Sequence, residues 1–494
     1  MDLFTNTQRI HDPMAVKPHV AIVGAGLSGL RCAQVLQQHG FRVTILEGRD
    51  RIGGRMAQQK LSNGHVVDMG PNWIHGTENN PIYDLALETK TAVAHLDSPA
   101  NVLDTSGKRL SSGERYTDVM WGIIGEAFDE SNKNSAVIDV GKSLLDFIHE
   151  KLAVHPGLDS GDRRIVLQLA ESWGDFIGSP VSRQSLKFFW LEECLDGKNL
   201  FCAGTYSKIL DAISKPVLAE SELLLDTKVK RFLGRQGPGD KARVEVDDGV
   251  LSFDEVVVTC PLGWLKRNVD TFEPALPDRL TRAIGALGYG CLEKVYVNFP
   301  KAFWLSGNDE ARGFIMWLEP DYALDSNPER WLQEAVDLGS LESGFSHPTL
   351  LFYLYGDQSQ HVAAKMSSLQ TDSDRHDFLS GYFQPYYSRL PGYDADSPDC
   401  VASASLATKW VLEELAGFGS YTNFQVGVRD ADGDIQALRQ GLPERGLWFA
   451  GEHTAPFVAV GTATGAYWSG ESVARRLAEA YGLSSERGNG SEGG

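Results

Sequence analysis

The sequence predicts a mixed α/β fold in which two lobes are interleaved along the chain. Three observations carry that expectation. The chain opens with a strand, glycine turn, helix and strand; buried β-branched runs recur far downstream; and two long intervening stretches hold amphipathic helices and aromatic-rich strands. His19 to Gly24 (HVAIVG) is a short apolar run ending at glycine, the pattern of a parallel strand covered on both faces. Leu27 to His39 follows with Leu27, Leu30, Ala33, Val35 and Leu36 on one face, as a helix packed on a sheet requires. Phe41 to Glu47 (FRVTILE) is the next strand and completes one right-handed βαβ unit.

Further along, Leu223 to Val229 and Ala242 to Asp247 read as a strand pair around the turn-rich GRQGPGDK loop. Glu255 to Cys260 (EVVVTC) is a buried strand, Gly446 to Gly451 (GLWFAG) a late one, and Ala463 to Tyr481 a closing helix. LLFYLYG at 350–356 is an aromatic-rich strand of the second lobe. The expected division gives one lobe 18–85, 201–290 and 406–483, and the other 86–200 and 291–405. Residues 1–17 read as a flexible arm, and the Gly/Ser-rich 484–494 as a disordered tail.

Among 494 residues, 46 Lys and Arg stand against 66 Asp and Glu, a net charge of −20. Such a surface repels nucleic acid and anionic membranes and attracts small cations. The six cysteines form no CxxC pair, so neither a disulfide framework nor a zinc site is expected, and reduced thiols are. No secretory leader, transmembrane run or C-terminal peroxisomal tripeptide is visible, so a cytoplasmic protein is expected. Its oligomeric state is not legible.

The strongest local signal is Gly24-Ala25-Gly26-Leu27-Ser28-Gly29, set between a strand and a helix, with the acidic Glu47 18 residues beyond Gly29. The spacing suits a dinucleotide in a Rossmann-type unit. Gly24 permits the turn, Gly26 lets the backbone approach a pyrophosphate, and Gly29 brings helix to strand. Ser28 lies at the same helix start, and Glu47 can accept hydrogen bonds from ribose hydroxyls. These residues alone do not separate NAD from FAD.

Glu47-Gly48-Arg49-Asp50-Arg51-Ile52-Gly53-Gly54-Arg55 comes next, then Asp68-Met69-Gly70-Pro71-Asn72-Trp73-Ile74-His75-Gly76. Downstream are Thr259-Cys260-Pro261-Leu262-Gly263-Trp264-Leu265-Lys266 and the segment Gly285 to Phe299, which contains Lys294. Thr408-Lys409-Trp410, Gly419-Ser420-Tyr421-Thr422, Gly451-Glu452-His453-Thr454 and Gly461 to Ala466 close the series. Together these motifs resemble the flavin-containing amine oxidases, a family that includes monoamine oxidases, polyamine oxidases and lysine-specific histone demethylases. The matches span about 19–76 and 223–476, and jointly they are highly specific.

What the resemblance implies is a discontinuous FAD-binding domain interleaved with a substrate-binding domain. Arg49, Arg55 and Glu452 would contact the cofactor's phosphate and ribityl regions, guanidinium forks matching phosphate oxygens, while Arg51 would be structural or a surface charge. Gly70, Pro71, Asn72 and Trp73 would run along the flavin ring, and Val229 would sit by the adenine. Thr259, Pro261 and Trp410 would flank the cofactor. Thr462 would start the final helix, whose N-terminus would aim at the flavin's N1–C2 edge. Lys294 would hold a water against flavin N5, and His75 would face the substrate, keeping an amine neutral or orienting it.

Two departures bear on substrate and cofactor. Monoamine oxidases carry a flavin-linked cysteine at the position of Ser420, so FAD should be non-covalent here. Thr462 stands where monoamine oxidases and some polyamine oxidases have a second tyrosine, which leaves Tyr421 without that partner and looks more like spermine oxidases and demethylases. The 455–460 loop (APFVAV) has no evident counterpart. Glu192 and Glu193 in FWLEECLDG are candidates for binding distal ammonium groups, set against a solvated helix face. The implied reaction is oxidation of a small cationic amine by dioxygen, with polyamines such as spermine and spermidine or their acetyl derivatives favoured. Another amine of specialised metabolism, a demethylase-like protein and an inactive binding protein on the same fold are the alternatives.

Overall fold

The structure is a computed structural model that describes residues 17–96, 98–237, 239–307 and 310–483. Apart from Lys17, the expected arm and tail lie outside the described residues. A five-stranded parallel sheet runs in the order Leu447–Phe449, Glu255–Val258, His19–Val23, Arg42–Leu46, Glu222–Leu224. Its central strand shows why the apolar runs do not alternate, since Val20, Ala21 and Ile22 are all fully buried. Helix Leu27–Gln38 leaves that strand through the glycine turn, and the closing helix Ala463–Ala480 packs directly on it. There, a side chain at Gly470 would collide with the Ser28 carbonyl.

One expectation is corrected. Leu223 to Val229 does not pair with Ala242 to Asp247. Glu222–Leu224 joins the parallel sheet beside Arg42–Leu46, and Arg231–Leu233 takes the antiparallel place next to Ala242–Val246. The left-handed backbone at Asp226 (φ 50°) ends the first run, and the Asp226 and Thr227 amides bond to the carbonyls of Arg49 and Glu47. A single apolar stretch is thereby divided between two sheets.

The second large sheet has six strands in the order Ala404–Ala407, Leu292–Asn298, Thr349–Tyr355, Gln333–Asp337, Phe314–Trp317, Asn101–Leu103. Neighbours are antiparallel except the last pair. Val295, Phe352 and Ile315 on one face pack with helix Asp372–Tyr387. Directly opposed residues share a face, so the other face carries Lys294, Tyr353, Glu334 and Met316 in one row across four strands. That face meets the 67–73 segment, while helices Gly113–Asn134, Leu144–Val154 and Ser160–Glu171 enclose its Met316 end. Among the described residues no helix is long and apolar enough to cross a membrane. All six cysteines are free.

Candidate active site

At the glycine turn, Gly24 has φ +113° and its amide donates to the Leu46 carbonyl at 2.8 Å. Thr259 braces the turn from the next strand, its hydroxyl reaching the carbonyls of Val23 (2.9 Å) and Gly24 (3.2 Å). A side chain at Gly29 would strike the Gly24 carbonyl, so this glycine is what lets the helix close on the strand. Gly26 differs: a Cβ there would meet nothing within 4 Å. Beside it the buried Ser28 hydroxyl has no hydrogen-bond partner. Open space over Gly26, an orphaned hydroxyl and an uncapped helix start are what a pyrophosphate would complete, so the cradle fits a dinucleotide such as FAD. Glu47 is buried, accepting from the amides of Ala25 (2.8 Å) and Arg49 (2.9 Å), with lone pairs left for a ribose.

Arg55 ties three segments together. One guanidinium nitrogen donates to the Ser420 carbonyl (2.5 Å), to Glu452 (3.1 Å) and to the Tyr289 hydroxyl (3.2 Å). Arg49 pairs with Glu413 at 3.1 Å. Arg51 donates to the carbonyls of Ile52 and Gly54. Val229 is buried, and Pro261 caps the short helix Leu262–Arg267. Thr462 caps the closing helix, accepting from the Gly465 amide at 2.9 Å and donating to the Ala459 carbonyl at 2.8 Å.

Lys294 is 5% exposed, and its ammonium donates to the Gly70 carbonyl. Burial pulls its pKa down to about 7, against the opposing charges of Asp68 and Glu293. The same burial pushes the Asp68 carboxyl up to about 7. A network on the neighbouring strand fixes the lysine. Its amide donates to the Thr408 hydroxyl (2.7 Å), Thr408 donates to Glu293, and Glu293 takes the Val411 amide (2.7 Å). Trp410 completes the clamp by donating to the Met69 carbonyl at 2.9 Å.

Half-buried Pro71 leads into the Asn72–Trp73 segment, which bonds the strands on either side of it. Asn72 donates to the Tyr296 hydroxyl (3.2 Å) and accepts from Tyr353 (3.1 Å), while Trp73 donates to Tyr353 (3.0 Å). The His75 pKa is lowered by burial, with Asn199 as its side-chain hydrogen-bond partner. Asn80 donates to the His75 carbonyl (3.1 Å) and accepts from Thr464 (2.9 Å), joining this loop to the closing helix. From the other side, Ser420 donates to the Gly290 carbonyl (3.0 Å) and accepts the Leu292 amide (3.1 Å). Tyr421 donates to the Phe176 carbonyl at 2.6 Å.

The structure separates the two candidate acids. Glu192 accepts the Phe424 amide at 3.2 Å, and burial, with the Glu452 charge adding to it, pushes its carboxyl up to about 8. Glu193 is exposed and takes a bond from Asn132 at 3.1 Å, because the turn Phe189–Glu192 ends there and the chain becomes extended. Sequence reasoning passed over Asp68, Asp175, Glu293, Glu334, Thr422 and His453, all buried. Thr422 Oγ1 and both ring nitrogens of His453 lack partners. For Glu334 a signal existed: QEAVD places three polar residues in a strand where every position is buried.

A family model described as flavin containing amine oxidoreductase matches residues 27–478. The chain is 28% identical over 476 residues to "Probable polyamine oxidase 4" of Arabidopsis thaliana, covering 93% of this chain and 87% of the relative. It is 27% identical over 448 residues to "Lysine-specific histone demethylase 1 homolog 2" of Oryza sativa subsp. japonica, covering 90% of this chain and 54% of the relative. In fold it is similar to a solved putrescine oxidase double mutant redesigned in cofactor binding, with a TM-score of 0.69 at 18% identity, covering 94% of this chain and 99% of the other.

Proposed function

The chain belongs to the flavin-containing amine oxidoreductases, and from that premise we propose that it is an FAD-dependent polyamine oxidase. It would convert spermine, spermidine or their acetyl derivatives to an aldehyde, a shorter amine and hydrogen peroxide. The observation that carries the reading is Lys294, a buried amine held against the Gly70 carbonyl beside the Trp73–His75 segment. The similarity to "Probable polyamine oxidase 4" over 87% of that relative supports a polyamine substrate.

Gly24, Gly26, Ser28, Gly29 and Glu47 would hold the adenosine diphosphate half of FAD. Arg55, Glu452 and the Thr462-capped helix would face the rest. Bound there, FAD would supply a two-electron acceptor for the hydride on the carbon beside the amine nitrogen, with dioxygen as the final oxidant. Alkyl ammonium groups titrate near ~10, so the reacting nitrogen must give up its proton before oxidation. His75, held neutral by burial, is the proton acceptor nearest in chemistry to that task. The lowered pKa of Lys294 leaves a part of its population as a neutral amine near pH 7, able to orient a water through its lone pair. Glu192, half-buried near Glu452 and Tyr421, supports a contact for a substrate nitrogen. The Ser420 hydroxyl, engaged by Gly290 and Leu292, supports non-covalent flavin.

The test is direct. The purified protein should be yellow, should bleach anaerobically with spermine or spermidine, should release peroxide in air, and should ignore NADPH. Acid precipitation should free the flavin into the supernatant. A colourless protein that takes up no FAD would remove the reading.

A further inference from the structure

We propose that a basic cleft bordered by Tyr289 is a second binding site, for a compact polyanion: a small molecule carrying two or more phosphate groups. The cleft encloses about 950 Å³ and gathers Arg183, Lys266, Arg267, Arg279, Arg282 and Arg429 against only two acids, Asp430 and Asp434. Neither the glycine turn nor Glu47, Arg55 or Lys294 lines it, so it is separate from the candidate active site. The proposal does not rest on the oxidase reading.

Separate elements bring these charges together. Helix Leu262–Arg267 ends on Lys266 and Arg267, helix Asp278–Ala286 contributes Arg279 and Arg282, and Arg429 stands just before helix Ala431–Gln440. Arg279 is neutralised by Asp430 at 3.2 Å and by Asp434. Among the described residues the other five cations make no ion pair with an acid, in a chain that holds 66 Asp and Glu. Lys266 is half-buried and donates to the Gly285 carbonyl at 2.7 Å. Arg267 donates to the carbonyls of Gly263 (3.2 Å) and Gly417 (3.3 Å) and lies over the Phe418 ring, 4.8 Å from its centroid. Carbonyls and a ring face hold these groups in place without cancelling their charge. Burial, with the Arg267 charge adding to it, pulls the Lys266 pKa down to about 8, a shift that an anion in the cleft would oppose.

Chemistry and shape select the occupant. Guanidinium forks match phosphate oxygens in geometry and charge, and the volume falls within the roughly 300–1,000 Å³ of small-molecule sites. A ligand held inside is screened from charges beyond about 10 Å, whereas a long polyanion would leave the cleft and meet a protein of net charge −20. Compactness therefore matters as much as charge. One wall is closely packed: a Cβ at Gly263 or Gly419 would strike the Tyr289 ring, and the Tyr289 hydroxyl donates to the Ala416 carbonyl at 2.6 Å. The same hydroxyl accepts from Arg55 at 3.2 Å, so the cleft and the flavin cradle share Tyr289 between them.

The test titrates inorganic triphosphate into the purified protein by calorimetry at about 0.15 M salt. Arg282→Glu and Arg429→Glu each place an acid in the cleft at an exposed position. Triphosphate Kd should rise at least about tenfold in each, as loss of a charge-assisted bond implies, while thermal stability stays at the wild-type value. Gly26→Ala, which alters the glycine turn alone, should bind triphosphate as the wild type does. A wild type that binds no triphosphate at millimolar concentration overturns the site, and so does unchanged affinity in both glutamate variants. Binding lost in Gly26→Ala would put the anion in the glycine turn and overturn it as well. Tighter binding of oligoglutamate than of triphosphate would give the cleft to an acidic peptide instead. The readout is binding alone, so a protein that holds triphosphate through the cleft but oxidises no amine supports the site and removes only the oxidase reading. The two glutamate substitutions sit on separate elements, so a folding failure in one leaves the other as the test.

Discussion

Lys294 sits where a primary amine is hardest to keep, inside a sheet face with a carbonyl as its hydrogen-bond acceptor. Methionine keeps much of its length and apolar body while removing the nitrogen. Lys294→Met should therefore retain flavin and fold at least as stably, while flavin reduction or reoxidation slows on the order of 100-fold. Stopped-flow measurement of the two half-reactions checks this, and wild-type rates in both would end the assignment. Thr259→Val tests a quieter residue. The hydroxyl's one proton is shared between two carbonyls of the glycine turn, an interaction worth about 1 kcal/mol in all, so flavin Kd should rise several-fold in a fluorescence titration with little change in secondary structure. Lys294 was found by its place in a motif. Asp68 opens a motif and Glu293 precedes the lysine, yet their action on it was not legible, because an acid in a sequence does not reveal its burial.

The first helix depends on two glycines for opposite reasons, and that contrast makes an element-scale prediction. At Gly29 an added methyl would strike the Gly24 carbonyl, so Gly29→Ala should pry the helix from its strand and lower thermal stability even without flavin. At Gly26 the backbone is ordinary for alanine (φ −76°) and the space is open, so Gly26→Ala should fold with unchanged flavin-free stability yet bind FAD at least about tenfold more weakly. Parallel thermal melts and flavin titrations separate the two. If Gly26→Ala bound flavin normally, the pyrophosphate would lie elsewhere. The βαβ unit, the strands Glu255–Val258 and Leu447–Phe449 and the closing helix were legible because each carries its own period or glycine punctuation. The fate of Leu223 to Val229 was not. A left-handed turn at an aspartate leaves little trace in composition, and two adjacent runs of similar hydrophobicity could each have claimed the same partner. The row from Lys294 to Met316 was equally hidden, since it exists only once the register of four strands is set.

For the molecule as a whole, the buried acids set a pH dependence that can be worked out. Burial raises the carboxyls of Asp68 and Glu293 to about 7 and those of Glu192 and Glu334 to about 8, and lifts Asp175 as well. Unfolded carboxyls ionise near pH 4, so between there and 8 the folded state holds more of these protons and stability falls as pH rises. His453 and His347, lowered by burial to about 4, act the other way only up to about 6.5, and Lys294, lowered to about 7, does so only above 7. At every point from pH 5 to 8 the acids outnumber the opposing groups, so unfolding by calorimetry should show stability declining across that range. Glu334→Gln removes one contributor, and its decline should be shallower by up to about 1.4 kcal/mol per pH unit. A flat wild-type profile, or one that rises, would mean that these carboxyls are already paired in solution. In that case these carboxyls would be ionised in the folded protein, and the net charge of −20 that counts them so would draw small cations toward it.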